Sequence, residues 1–370
     1  MRYNLIGTPD RTLGAQAQVL VNRGITKEKI SSYLNTTDSD VSEPLLFGEG
    51  VLKEAAAAIV KAVKEEKKTL VVVDADCDGY TSAALLINYL NDIFPAFVNN
   101  NLKWYLHSGK QHGLSDCIEY ALEFELVILP DASSNDYSYH QRLKENNTEI
   151  IILDHHEAEK ISEYAIVVNN QLSDYPNKEL SGVGVTWQFC RYFDSLTGKN
   201  FANQYLDLVA LGLTADMMSM KSIETKHLIN KGFLEESIKN PFIYGMADKN
   251  SYSLKGRVSP MGAAFYIAPF VNAMVRSGTQ EEKALLFNAM LGFKAFDMIE
   301  STKRGHSFGE LERVIDQALR VCTNVKNRQT RAQDAGMEFL RNLIEERNLL
   351  DHKVLLFLLE PGQIDRNIAG

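Results

Sequence analysis

Three aspartates on alternate positions and then a glycine, Asp74, Asp76, Asp78 and Gly79 in TLVVVDADCDGYTSAALL, offer a run of hard oxygen ligands suited to a divalent cation. Two frameworks use such a run. An EF-hand loop has the form D-x-[DN]-x-[DN]-G and closes on a bidentate glutamate, but the closing position here is Leu85, which has no oxygen to give. An EF-hand loop also follows a helix, whereas Leu70-Val71-Val72-Val73 is a β-branched apolar run of the kind a buried parallel strand uses. Along an extended chain, side chains at alternate positions point the same way. Gly79 then permits a sharp turn, and Thr81 or Ser82 can cap a helix through Ala83, Ala84, Leu86, Ile87 and Leu90. The stretch is read as strand, acidic turn, helix, and in an open α/β sheet ligands bind at the carboxyl end of a strand.

Two more apolar runs end the same way. ELVILPD (125–131) stops at Asp131, and EIIILDHHE (149–157) at Asp154, His155 and His156. Alone, an aspartate after a strand is most often a cap or turn residue, and a His pair is most often structural. Three strands delivering carboxylates and imidazoles to one edge change that reading, because this is the ligand set of manganese, iron or zinc. Asp216 follows an apolar helical run, Leu206 to Ala215. A carboxylate there is costly unless it is paired, capped or metal-bound.

The elements that must hold these residues alternate in type. KEAAAAIVKAVKEEKK (53–68) is a strong helix by propensity; LKWYLH (102–107) is a further strand, and residues 114–122 and 137–146 are helical between strands. The expected fold is α/β, a parallel, doubly wound, Rossmann-like sheet with an added helical subdomain and a long connecting helix. The sheet core is placed at about 50–180 and the helical part at about 181–302. Residues 303–350 read as a long, largely exposed connecting helix with Gly336 as a weak point, and HKVLLFLLE (352–360) as a new strand opening a further unit at 351–370.

With 370 residues, 45% hydrophobic and 24% charged, the chain reads as globular. A net charge of -9 gives no global basic field, which argues against a non-specific nucleic-acid coat but not against a nuclease whose metals and local groove handle phosphate. Four scattered cysteines without a CxxC pair suggest free thiols and no zinc site. With no long uninterrupted apolar stretch, the expectation is a cytoplasmic protein with no membrane contact.

The acidic turn, the Asp131 strand, LDHHE and the TAD of 214–216, in this order, resemble the DHH phosphoesterase family, and within it the RecJ-type single-stranded-DNA exonucleases. NRGI at 22–25, LSGVGV at 180–185 and APFVNAMVR at 268–276 look like further family segments, so the resemblance runs over roughly residues 15–365. It implies that residues 1–302 form the catalytic domain and that QIDRNIAG opens a truncated second, substrate-binding domain. It also implies two Mn2+ or Mg2+ ions, one held by Asp76 and Asp131 with Asp74, the other by Asp78, Asp131, His155 and Asp216, Asp131 bridging. His156 would face the phosphate and Asp154 orient an imidazole, while Lys110, His112, Asn272 and Arg276 would contact substrate. Trp187, Tyr192 and Phe193 are candidates for base stacking or, at helical spacing, for the core. The implied activity is 5′–3′ hydrolysis of single-stranded DNA in repair and recombination, with a single-strand-binding protein or helicase as partner. Two alternatives are a hydrolase of short oligonucleotides or cyclic dinucleotides, disfavoured by Val72 where those relatives carry a histidine, and a catalytically silent binding module, which predicts eroded motifs. LPDASSND departs from the cysteine-glycine usual after the second-motif aspartate.

Overall fold

A computed structural model describes residues 7–351, 353–360 and 362–364. Five strands, β1 (Thr69–Val73), β2 (Leu102–Leu106), β3 (Leu126–Pro130), β4 (Glu149–Asp154) and β5 (Ile166–Asn169), form one sheet in the order β2-β1-β3-β4-β5. All four pairings are parallel. Both faces are covered at the inner strands, which is why β1, β3 and β4 are continuous apolar runs instead of alternating, while the edge strand β2 is partly exposed. Val71, Val73, Ile128, Ile151 and Leu153 pack on one side with helices Cys77–Ile93, Gly182–Thr197 and Leu206–Ala215. Leu70, Val72, Val127, Leu129, Ile150 and Ile152 pack on the other with Leu114, Ile118 and Leu143. The α/β, parallel doubly wound class expected from the sequence is the observed one.

This strand order has its topological switch between β1 and β3, where a doubly wound sheet opens a crevice for ligands. The register makes the crevice acidic. Val71 lies opposite Ile128, and Pro130 opposite Leu153, so the residues just beyond the strands bring Asp74, Asp131 and Asp154 level along one edge.

The C-terminal portion differs from its sequence reading. The long helix is Val314–Glu346, beginning after a small antiparallel hairpin of Met298–Glu300 and Leu311–Arg313 instead of at 303. Its first half is not exposed, because Val314, Ile315, Ala318, Val321, Cys322 and Val325 are buried in the same core as the sheet. Helix runs through Gly336 without a break. Residues 353–360 form no strand, and Val354, Leu356 and Leu358 are exposed; an extended segment becomes a strand only by pairing. His352 and residues 365–370, which hold most of QIDRNIAG, lie outside the described residues.

Candidate metal and phosphate site

The acidic turn is built by its own side chains. Asp76 caps helix Cys77–Ile93 by accepting a hydrogen bond from the Gly79 amide at 2.9 Å, so a carboxylate sits at the positive helix end. Gly79 is needed for a close approach: a Cβ there would stand 2.5 Å from Asp74 Cβ and 2.7 Å from its carbonyl oxygen. Asp78, in the first turn of that helix, is buried, and its Oδ1 accepts from Ser181 Oγ at 2.9 Å and from the Val183 amide at 3.4 Å. Asp131 has φ +69°, a left-handed conformation that is uncommon outside glycine and clusters at functional sites.

Around Asp131 the candidate ligands converge. His155 Nε2 lies 3.2 Å from Asp131 Oδ1 and 3.6 Å from Asp216 Oδ2. Ligand atoms of Asp74, Asp76 and Asp131 lie within 4.8 Å of one another, and so do those of Asp78, His155 and Asp216 and of Asp131, His155 and His156. Buried oxygens of Asp74, Asp78 and Asp131 have no hydrogen-bond partner. A buried polar atom without a partner is costly, and so many carboxylates in one crevice repel each other unless cations or protons intervene. The donor set fits divalent cations on both counts.

The electrostatics divide these groups by role. Burial, and after it the charges of Asp216 and Asp76, push the Asp78 carboxyl up to about 7. Burial and then Asp76 raise Asp216 to about 6, and burial and then Asp78 raise Asp131 well above the usual range. Burial, with the charge of His156 second, holds the His155 ring down at about 4, so at neutral pH it is a neutral imidazole able to ligate. Asp154 plays another part. Its Oδ1 accepts from the amides of His155 (2.8 Å) and His156 (3.3 Å) and lies 2.7 Å from His156 Nδ1, while Oδ2 accepts from the Ser134 amide at 3.0 Å. Burial opposes its ionisation, but the hydrogen bond and charge of His156 outweigh that and keep it well below the ordinary range. In return the Asp154 hydrogen bond lifts His156 to about 9.

Asn272 and Arg276, on helix Ala268–Ser277, reach the same crevice. They line a cleft of about 110 Å³ with Asp76, Cys77, Asp78, Ala215 and Asp216, and Asn272 Oδ1 and Arg276 Nε are buried there without partners. His112 Nδ1 lies 2.8 Å from Asp74 Oδ1 without hydrogen-bond alignment, and its ring meets that of His156 edge-on at 4.8 Å. Lys110 is exposed, and no ion pair or hydrogen bond among the described residues joins it to the cluster. Trp187, Tyr192 and Phe193 are buried in the core, so they do not stack bases; burial of the helix face that carries them decides it. Two glycines complete the site, Gly182 from the LSGVGV segment and Gly212, which was not singled out in the sequence. A Cβ at Gly182 would stand 2.6 Å from Asp131 Cα, and one at Gly212 would stand 2.5 Å from Thr81 Oγ1 and overlap Asp78. For Gly212 the signal was a glycine inside an apolar helix, a position that costs about 1 kcal/mol against alanine and so implies a packing reason.

Residues 68–213, which hold every strand of the five-stranded sheet and all the candidate metal ligands but Asp216, match the family model described as DHH family, N-terminal domain. That segment is therefore similar to the DHH-family N-terminal domain. Over its whole length this chain is 37% identical to an SPbeta prophage-derived protein of Bacillus subtilis (strain 168) named as a single-strand DNA-specific exonuclease, YorK, and covers 62% of it. It is 28% identical to the single-stranded-DNA-specific exonuclease RecJ of the same strain, over 70% of this chain and 33% of that protein. The chain thus spans less than two thirds of the curated relatives it matches. A crystal structure of exonuclease RecJ bound to manganese superposes with a TM-score of 0.64 at 23% identity, over 80% of this chain and 69% of that one. RecJ of Thermus thermophilus with Mn2+ gives 0.62 at 21%, over 90% and 46%. The fold is the one these RecJ structures share.

Proposed function

We propose that the chain is the catalytic part of a metal-dependent phosphodiesterase that removes nucleotides from single-stranded DNA, from the 5′ end as its resemblance to RecJ-type enzymes implies. The observation that carries this reading is the convergence on Asp131: carboxylates from three elements and a neutral imidazole face one another at the sheet's switch point, with buried oxygens left unpartnered. The names of the relatives support the substrate, and metal-bound RecJ structures support manganese or magnesium. Asp74, Asp76 and Asp131 would hold one ion and Asp78, Asp131, His155 and Asp216 the other. Such ions make water a nucleophile near neutral pH and offset charge on the phosphate. The chain's own residues do the rest. Asp154 fixes His156 through Nδ1, leaving Nε2 for a phosphate oxygen. Arg276 and Asn272 present donors across the cleft, where a guanidinium can grip phosphate in a forked geometry. A single-strand-binding protein or a helicase is proposed as partner by family analogy alone.

The test is release of labelled nucleotide from 5′- and 3′-labelled single-stranded DNA with added manganese, beside Asp131→Ala. Loss from the 5′ end that disappears in the variant is expected. Release that persists undiminished in Asp131→Ala, or wild type that neither cuts nor binds manganese, overturns the reading.

A further inference from the structure

Lys283, on helix Gln280–Met290, is 1% exposed, and among the described residues it has no carboxylate within ion-pair distance. A buried cation must be compensated, and this one spends its protons on main chain. Nζ donates to the carbonyl oxygens of His107 at 2.9 Å and Ser108 at 2.8 Å, across 176 and 175 residues of sequence. Those carbonyls begin the loop from β2 to Leu114. The same end is clamped a second time: His107 is buried, with Nδ1 2.7 Å from Asp116 Oδ1 on the far side of the loop. The far side is fastened as well, where the Leu114 amide donates to Asp136 Oδ2 at 3.0 Å. Between these anchors the loop carries His112 to Asp74 and against the His156 ring. Lys283 lies just beyond the helix that brings Asn272 and Arg276 to the cleft, the two joined by the Thr279 capping box.

We propose that Lys283 is a positioning residue that sets the 107–116 loop, and through it His112, over the acidic crevice, so that one helical pair positions both the Arg276 wall and the His112 wall of the substrate cleft. Lysine suits this position because its compact ammonium satisfies two diverging carbonyls, while methionine would fill the same volume and leave both unpaired. The proposal rests on the phosphodiesterase reading for what His112 does, but not for how the loop is held.

The experiment uses the full chain with Lys283→Met, His112→Ala and the double variant, with Lys283→Arg as the second substitution should the methionine variant fail to fold. Two readouts are taken: kcat and KM on a single-stranded oligonucleotide with manganese, and the rate of tryptic cleavage after Lys110. Acting through His112, Lys283→Met lowers kcat/KM about tenfold, within the range of hydrogen bonds to a charged group. That loss vanishes in the His112→Ala background, as coupled residues require, and cleavage after Lys110 speeds up in a variant that still unfolds cooperatively. Losses that multiply independently of His112, or an unchanged tryptic rate in a folded variant, overturn the proposal. If wild type neither cuts DNA nor binds manganese, the phosphodiesterase reading fails, while the tryptic rate still decides whether Lys283 holds the loop.

Discussion

Individual carboxylates here divide into those with a buried oxygen left without a partner and those fully engaged. Asp154 is of the second kind, and its role is to hold His156. Asp154→Asn is therefore expected to leave the fold intact, to lower activity by about 10–100-fold, the usual cost of losing a group that orients a site imidazole, and to drop the His156 pKa from about 9 towards 6.5. NMR titration of the imidazole checks this, and an unmoved pKa would contradict it. Asp78 is of the first kind, and its pKa is raised, from 3.8 unfolded to about 7 folded. The native state therefore binds its proton more tightly, so the associated stability is present below pH 4 and is lost as pH rises towards 7. In chelator, the thermal midpoint of wild type should fall relative to that of Asp78→Asn between pH 4.5 and 7.5. Manganese should raise the wild-type midpoint more at the higher pH, since ligation needs the ionised carboxylate.

Secondary elements contribute mainly through their ends. Helix Cys77–Ile93 takes Asp76 as cap, helix Leu206–Ala215 ends at Asp216, and β3 ends in the left-handed Asp131. Helix Gly182–Thr197 comes so close to Asp131 that only a glycine fits at its first position. Gly182→Ala should therefore push the Asp131 carboxyl out of place. The expected outcome is a loss of manganese affinity of tenfold or more by calorimetry, with a stability cost of about 1–3 kcal/mol for overpacking. Wild-type affinity in the variant would mean that the helix and Asp131 move apart freely.

At the scale of the whole molecule, the matched DHH segment, residues 68–213, is smaller than the folded unit. The first half of helix Val314–Glu346 buries six apolar side chains in the common core, each large one stabilising by about 1.5–3 kcal/mol. A chain ending at residue 334 should therefore unfold cooperatively and still bind manganese, whereas one ending at 313 should do neither. Circular dichroism melts of the two truncations decide it. Among the described residues no helix is long and apolar enough to cross a membrane.

Sequence alone was enough for the strand-end positions of Asp74, Asp131 and Asp154, because a buried parallel strand must be apolar on both faces and the first charge marks its end. The order of motifs then carried the family resemblance, and with it the grouping of Asp76, Asp78, His155 and Asp216. Local pattern could not reveal what depends on contacts across fifty residues or more. The hydrogen bond of Ser181 to Asp78, the glycine contacts at 182 and 212, and the burial of Trp187 and of half the long helix arise only when helices pack. Nor could it separate Lys110, which stays in solvent, from Lys283, which is buried under the loop that carries Lys110: a lysine's surroundings are set by whichever distant backbone packs against it.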